Sequence, residues 1–182
     1  MTRRIRVAQT DELEPGQLEE LTQLCEAAFG IPFGPVWERV GPGLHVMAEE
    51  GGRVVAHAMI VDRRIYLGHE PDLAIDVGYI ENVATLPELH GQGHGTAVMH
   101  RAGQIIGEEY AIGALATTSH PFYEKVGWER WLGPTSVRTP DGERVRSAGR
   151  DGHVMILRTP RTPSDLRNDE PIAIDWRPGE PW

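Results

Sequence analysis

The stretch Glu81-Asn82-Val83-Ala84-Thr85-Leu86-Pro87-Glu88-Leu89-His90-Gly91-Gln92-Gly93-His94-Gly95-Thr96 passes from a β-like run through a glycine-rich turn into a segment with helical spacing. A strand, a glycine turn and a helix in immediate succession form an anion-binding unit. Glycines allow positive φ, so successive backbone N–H groups converge, and the helix N-terminus adds about half a positive charge. The turn lacks Gly-Lys-Ser/Thr and is therefore no Walker A loop. It also follows several β-rich stretches rather than opening the chain, which argues against a dinucleotide-binding unit.

The segments around it set the fold class. Ile5–Ala8 reads as a strand, and Pro15–Phe29 as a helix with Leu18, Leu21, Leu24, Cys25 and Ala28 on one face. Gly30-Ile31-Pro32-Phe33-Gly34 interrupts it, and Pro35 starts a short helix through Trp37 and Val40. Leu44–Glu49, Arg53–Leu67 and Leu73–Ala84 read as an antiparallel meander, with turns at Glu50-Gly51-Gly52 and Gly68-His69-Glu70-Pro71-Asp72. Val98, Ala102, Ile105 and Ile106 mark a helix over about residues 93–109. A strand follows over Ile112–Thr117, then a short helix over Pro121–Val126 ended by Gly127, and strands over Pro134–Thr139 and His153–Arg158 flank the polar stretch Pro140–Asp151. The order predicts one α/β (α+β) domain over residues 1–182, with a mixed, mostly antiparallel central sheet flanked by helices. The proline-containing tail 159–182 shows little periodicity, yet it holds Trp176 and Trp182, whose large rings predict that it packs back on the domain.

Composition excludes several classes. No run approaches the ~18 apolar residues of a bilayer span. Met1–Val7 is basic, but Gln9-Thr10-Asp11-Glu12 follows instead of an apolar signal core, so the expected location is cytoplasmic. A net charge of −9 disfavours nucleic acid and suits a cationic small substrate. The single cysteine, Cys25, has neither a disulfide partner nor zinc-ligand spacing; it reads as a core residue, and no metal is expected.

His90-Gly91-Gln92-Gly93-His94-Gly95 and His120-Pro121-Phe122-Tyr123-Glu124-Lys125-Val126-Gly127-Trp128 together resemble the GNAT acetyltransferase superfamily, with His at the position usually held by Arg or Gln. Closer similarity is to the aminoglycoside 2'-N-acetyltransferases, through Gly78–Ala84, Gly113-Ala114-Leu115, Gly133-Pro134-Thr135-Ser136-Val137 and the ending Asp175-Trp176-Arg177-Pro178-Gly179-Glu180-Pro181-Trp182. The resemblance implies a GNAT fold and acetyl-CoA as cosubstrate, held by Val83, Thr85, His90, Gly91, Gln92, Gly93, His94, Gly95 and Thr96. It implies an aminosugar partner, a commonly dimeric assembly, and an antibiotic-resistance activity.

Direct transfer from acetyl-CoA to an amine needs a base and an acid. The resemblance gives these roles to Glu81, acting through ordered water, and Tyr123, which protonates the sulfur. His57 and His120 are alternatives for the base. The Val83 N–H is the expected donor to the thioester oxygen. Substrate contacts are expected from Glu81, Thr117, Asp151, Glu180 and Trp182, with the terminal carboxylate beside Trp182. Two departures narrow the substrate: Gly30–Gly34 carries no acid where the family has one, and the serine-rich stretch becomes Ala116-Thr117-Thr118-Ser119. They point to a less cationic aminosugar such as kasugamycin. Acetylation of a polyamine or a protein N-terminus, and CoA binding without turnover, are the other readings.

Overall fold

The computed structural model describes residues 3–69 and 73–182. Met1 and Thr2 of the N-terminal reading, and Glu70, Pro71 and Asp72 of the expected turn, lie outside the described residues. Packing divides the chain into two compact units, Met1–Val61 with Ile80–Gln104, and Asp62–Tyr79 with Ile105–Trp182.

In the first unit, β1 (Arg4–Gln9) pairs antiparallel with β2 (Leu44–Glu50), which pairs antiparallel with β3 (Arg53–Leu67). Helix α1 (Pro15–Phe29) begins on a capping box between Glu14 and Gln17, with Pro15 in its first turn, and ends where Gly30 adopts φ 70°. Its apolar stripe buries Leu21, Leu24 and Cys25 completely or nearly so, and burial pushes the Cys25 thiol up to about 12. Cys25 is thus the core residue expected. A second helix, α2 (Gly34–Val40), carries Trp37.

The second unit holds a sheet with strand order β6-β9-β5-β4-β3-β10-β7-β8. Its members are the first part of β4 (Leu73–Thr85, whose residues from Ile80 belong to the first unit), β5 (Ile112–Ala116), β6 (Glu129–Arg130), β7 (Thr135–Arg138), β8 (Arg144–Arg146), β9 (Val154–Arg158) and β10 (Ile172–Asp175), with the second part of β3. β5·β9, β6·β9, β7·β8 and β10·β3 are antiparallel; β4·β5 and β10·β7 are parallel. Helix α3 (His94–Glu109), of which residues 94–104 belong to the first unit, and helix α4 (His120–Glu124) complete a mixed, mostly antiparallel α/β fold, the class expected. The parallel pair β4·β5 matches Gly78 to Gly113, and a Cβ on either would stand 2.9 Å and 3.1 Å respectively from Ile106 side-chain carbons. The helix therefore packs on bare backbone.

Several expectations are corrected. The tail contains strand β10, inserted between β3 and β7; Ile172, Ala173 and Ile174 are all fully buried, so no alternation announced it. The polar excursion contains β8, an edge strand of Arg144-Val145-Arg146 whose charges suit an edge. Glu129-Arg130 forms a short strand. Helix α4 is shorter than Pro121–Val126 because its C-terminal end tightens into turn bonds from Val126 N–H to Tyr123 C=O and Gly127 N–H to Glu124 C=O. Of the two tail tryptophans only Trp182 is buried, at 6% exposure; Trp176 is half exposed.

Candidate active site

In the first unit, β4 carries Glu81, Asn82 and Val83 in succession, all half-buried. Asn82 has φ 53°, the one non-glycine in the left-handed region among the described residues. Such a value inside a strand breaks the regular ladder and re-aims the peptides on either side. Glu81 and Val83, the expected base and thioester-oxygen donor, therefore flank a kink.

The glycine loop follows. Gly91 and Gly93 adopt φ 78° and 79°, a conformation closed to most side chains. The first bond of the helical ladder runs from Ala97 N–H to Gly93 C=O at 3.1 Å, so the N–H groups of His94, Gly95 and Thr96 lie ahead of the ladder. His90 Nε2 donates back to the Thr85 carbonyl at 3.0 Å, and Gln92 Nε2 to the Glu88 carbonyl at 3.5 Å; both side chains brace the loop. Arg3 braces it from outside, donating to the carbonyls of Gln92 at 2.9 Å and Gly93 at 3.2 Å, and to His94 Nδ1 at 3.2 Å. Buried His94 lies 3.4 Å from Glu50 through Nε2. Free amides, left-handed glycines and an added guanidinium make this loop fit a diphosphate. Arg3 escaped the sequence reading because it is 89 to 91 residues from its partners.

His57, considered as a base, is fully buried and engaged through both ring nitrogens: Nδ1 lies 3.0 Å from the Asn82 carbonyl and Nε2 2.9 Å from His45 Nδ1. Burial, reinforced by the neighbouring His45, pushes its pKa down to about 3; burial alone brings His45 to about 4. Neither ring has a nitrogen to spare for an incoming proton.

In the second unit, Tyr123 of α4 is buried with its ring edge-on to Phe122 at 4.9 Å, and burial pushes its pKa up to about 12. The hydroxyl is therefore protonated throughout the neutral range, as an acid requires. His120 has Nε2 buried without a partner among the described residues. The Thr117 N–H donates to the His153 carbonyl and its Oγ1 accepts from the Ser119 N–H, each at 2.9 Å.

The expected substrate acids are already bonded to arginines. Asp151 accepts from Arg146 and from the Thr135 N–H and hydroxyl, both at 2.9 Å, and the Arg146 guanidinium holds its carboxyl well below the usual range. Glu180 is ion-paired with Arg150. Trp182 Nε1 donates to Ser147 Oγ at 3.1 Å, while Arg63 donates to the carbonyls of Asp175 at 2.8 Å and Pro181 at 3.0 Å. These bonds tie down the chain end. Among the described residues no cluster of His, Cys, Asp and Glu is arranged to hold a metal, and no helix is long and apolar enough to cross a membrane.

Residues 9–131 match the family model described as an acetyltransferase (GNAT) domain. The aminoglycoside 2'-N-acetyltransferase of Mycolicibacterium fortuitum is 32% identical, over 97% of this chain and 91% of that protein. Among solved structures, Escherichia coli YhbS, a GNAT-family N-acetyltransferase in complex with CoA, superposes with a TM-score of 0.64 at 14% identity, covering 94% of this chain and 89% of that one. Escherichia coli ElaA gives 0.59 at 19% identity over 86% of this chain and 99% of that one. A GCN5-related N-acetyltransferase from Kribbella flavida gives 0.56 at 21% identity over 72% of this chain, which spans 35% of its length.

Proposed function

The chain belongs to the acetyltransferase (GNAT) domain family, and from that premise we propose that it transfers the acetyl group of acetyl-CoA to the 2'-amino group of an aminoglycoside-type sugar, an antibiotic-modifying reaction. The observation that carries this reading is the extent of the similarity to the mycobacterial enzyme. It covers 97% of this chain and so continues past residue 131, where the family model stops, into the segment that holds Asp151.

Each step falls to a residue of this chain. The amides of residues 94–96 hold the diphosphate of the cosubstrate, with Arg3 shaping the loop. Glu81 takes a proton from the substrate ammonium through water, leaving a neutral amine that attacks the thioester carbon. The Val83 N–H donates to the carbonyl oxygen as negative charge builds on it. As the new C–N bond forms and the C–S bond breaks, Tyr123 gives its proton to the departing sulfur, and the second proton, lost by the nitrogen as it becomes an amide, restores the Tyr123 hydroxyl through water. The transfer is direct, and Cys25, buried and with its pKa raised to about 12, has no part in it.

Within aminosugars, the arginine partners of Asp151 and Glu180 favour a substrate with few positive charges and a carboxylate of its own. Thiol release with kasugamycin, tobramycin and spermidine, followed by mass analysis of the products, tests both levels. Acetylation of kasugamycin above tobramycin is expected. Turnover of spermidine alone moves the chain to another amine class, and CoA binding without turnover of any amine overturns the proposal.

A further inference from the structure

His45 and His57 sit in a hydrogen-bonded chain that the reaction above does not use. His45 on β2 pairs in register with Met59, and His57 lies two residues away on β3, so the two rings share a face and meet diagonally. Both are fully buried. Trp37 of α2 closes over them, its ring 5.8 Å from His45 and 5.9 Å from His57, anchored by its Nε1 donating to Thr22 Oγ1 at 2.9 Å.

The direction of the chain follows from its ends. The Asn82 carbonyl, at 3.0 Å from His57 Nδ1, only accepts, so His57 Nδ1 carries the proton. Neutral His57 then accepts at Nε2, and the donor there is His45 Nδ1 at 2.9 Å. Neutral His45 in turn accepts at Nε2, from the Thr10 hydroxyl at 2.9 Å. The Thr10 hydroxyl has two acceptors within reach, His45 Nε2 and the Gly43 carbonyl at 3.0 Å; neutral His45, already donating from Nδ1, directs the hydroxyl proton to its Nε2, and the hydroxyl oxygen itself accepts from the Gly43 N–H at 2.9 Å. The chain therefore starts on a backbone amide that cannot accept and ends on a carbonyl that cannot donate. It has one direction and one pair of tautomers.

What it holds is the kink. Asparagine tolerates the left-handed region partly through local bonds of its side chain, but the Asn82 Nδ2 is buried without a partner among the described residues. Its carbonyl, fixed by His57, orients the peptide between Asn82 and Val83, one residue from Glu81. We propose that Thr10, His45 and His57 form a positioning relay that locks the Asn82 peptide and thereby the aim of Glu81 and the Val83 N–H. The inference rests on the acetyl-transfer reading for its kinetic consequence, while the relay itself is a statement about tautomers.

Imidazole nitrogen shifts of the 15N-labelled protein at pH 7, with no substrate present, test the relay directly. Both His45 and His57 are expected neutral and protonated on Nδ1; an Nε2–H form or an imidazolium at either residue overturns it. For the kinetic part, His57→Phe keeps an aromatic ring but no donor. A fall in kcat of at least ~10-fold is expected, with CoA affinity within about threefold of the parent and substantial recovery in His57→Asn, whose amide nitrogen replaces Nδ1. A folded His57→Phe with parental kcat and only a lower melting temperature refutes the positioning role. Should His57→Phe not fold, Thr10→Val removes the side-chain donor at the head of the chain, and an unchanged His45 signal in it refutes the relay. Correct tautomers in a protein that acetylates no amine would instead count against the proposed function.

Discussion

Gly78 of β4 and Gly113 of β5 are register partners in a parallel pair, and the side chain of Ile106 occupies the space that a Cβ on either would need. At Gly78 the Tyr110 ring also stands 2.9 Å away, and at Gly113 the Trp128 ring does. Gly78→Ala and Gly113→Ala should each lower stability by ~1–3 kcal/mol through overpacking. Gly107, in the same helix as Ile106 but facing open space, is the control: Gly107→Ala should be neutral or stabilising by up to ~1 kcal/mol. Thermal unfolding of the three variants checks this, and equal loss in all three would contradict the packing argument.

Acid should destabilise the fold through the histidine pair. Folded His45 and His57 titrate near 4 and 3, below the ordinary 6.5 of the unfolded chain, so protons bind the unfolded state more readily. Their contribution is complete above pH 6.5 and is lost as pH falls towards the folded values. Between pH 7.5 and 5.5 the pair should cost about 2–3 kcal/mol, at about 1.4 kcal/mol per histidine per pH unit below 6.5. Denaturant unfolding at the two pH values measures it, and His57→Phe should flatten the dependence.

The two proposed proton-transfer residues have separable signatures. Glu81→Gln should lower kcat by ~10²–10⁴ while CoA still binds. Tyr123→Phe should lower it by a smaller factor, and the parent should show no alkaline loss of rate from Tyr123 below about pH 11, because the folded hydroxyl titrates near 12. A kcat that is unchanged in Glu81→Gln would remove the base from the mechanism.

The chain end should affect the amine and not the cosubstrate. Ser147→Ala removes the acceptor of Trp182 Nε1, and deletion of residues 176–182 removes the Trp182 ring and Glu180 together. Both should raise KM for the aminosugar, the deletion more strongly, with KM for acetyl-CoA unchanged. If the deletion leaves amine acetylation intact, the tail does not bind substrate and another amine class becomes the better reading.

The legible parts of this protein are those encoded over a few neighbouring residues. Helix α1 follows from its apolar period and its proline and glycine ends, which place its bounds at Pro15 and Phe29, as observed. The loop was legible because positive φ at Gly91 and Gly93 is a local demand on residue type. β10 was not, since a strand buried on both faces has no alternation and its parallel partner β7 begins 37 residues earlier, Thr135 against Ile172.

Local backbone preference and side-chain identity reside in the order of residues, which is why the strand, glycine turn and helix, the family and the residue types available for the chemistry could be read from it. Folding was needed to give Asp151 and Glu180 their arginine partners, to bring Arg63 to a carbonyl 118 residues away, and to join two histidines 12 residues apart in a single buried chain ending on Asn82. Those bonds depend on strand order and register, which bring distant groups within 3 Å of one another and have no trace in the local spacing of residues.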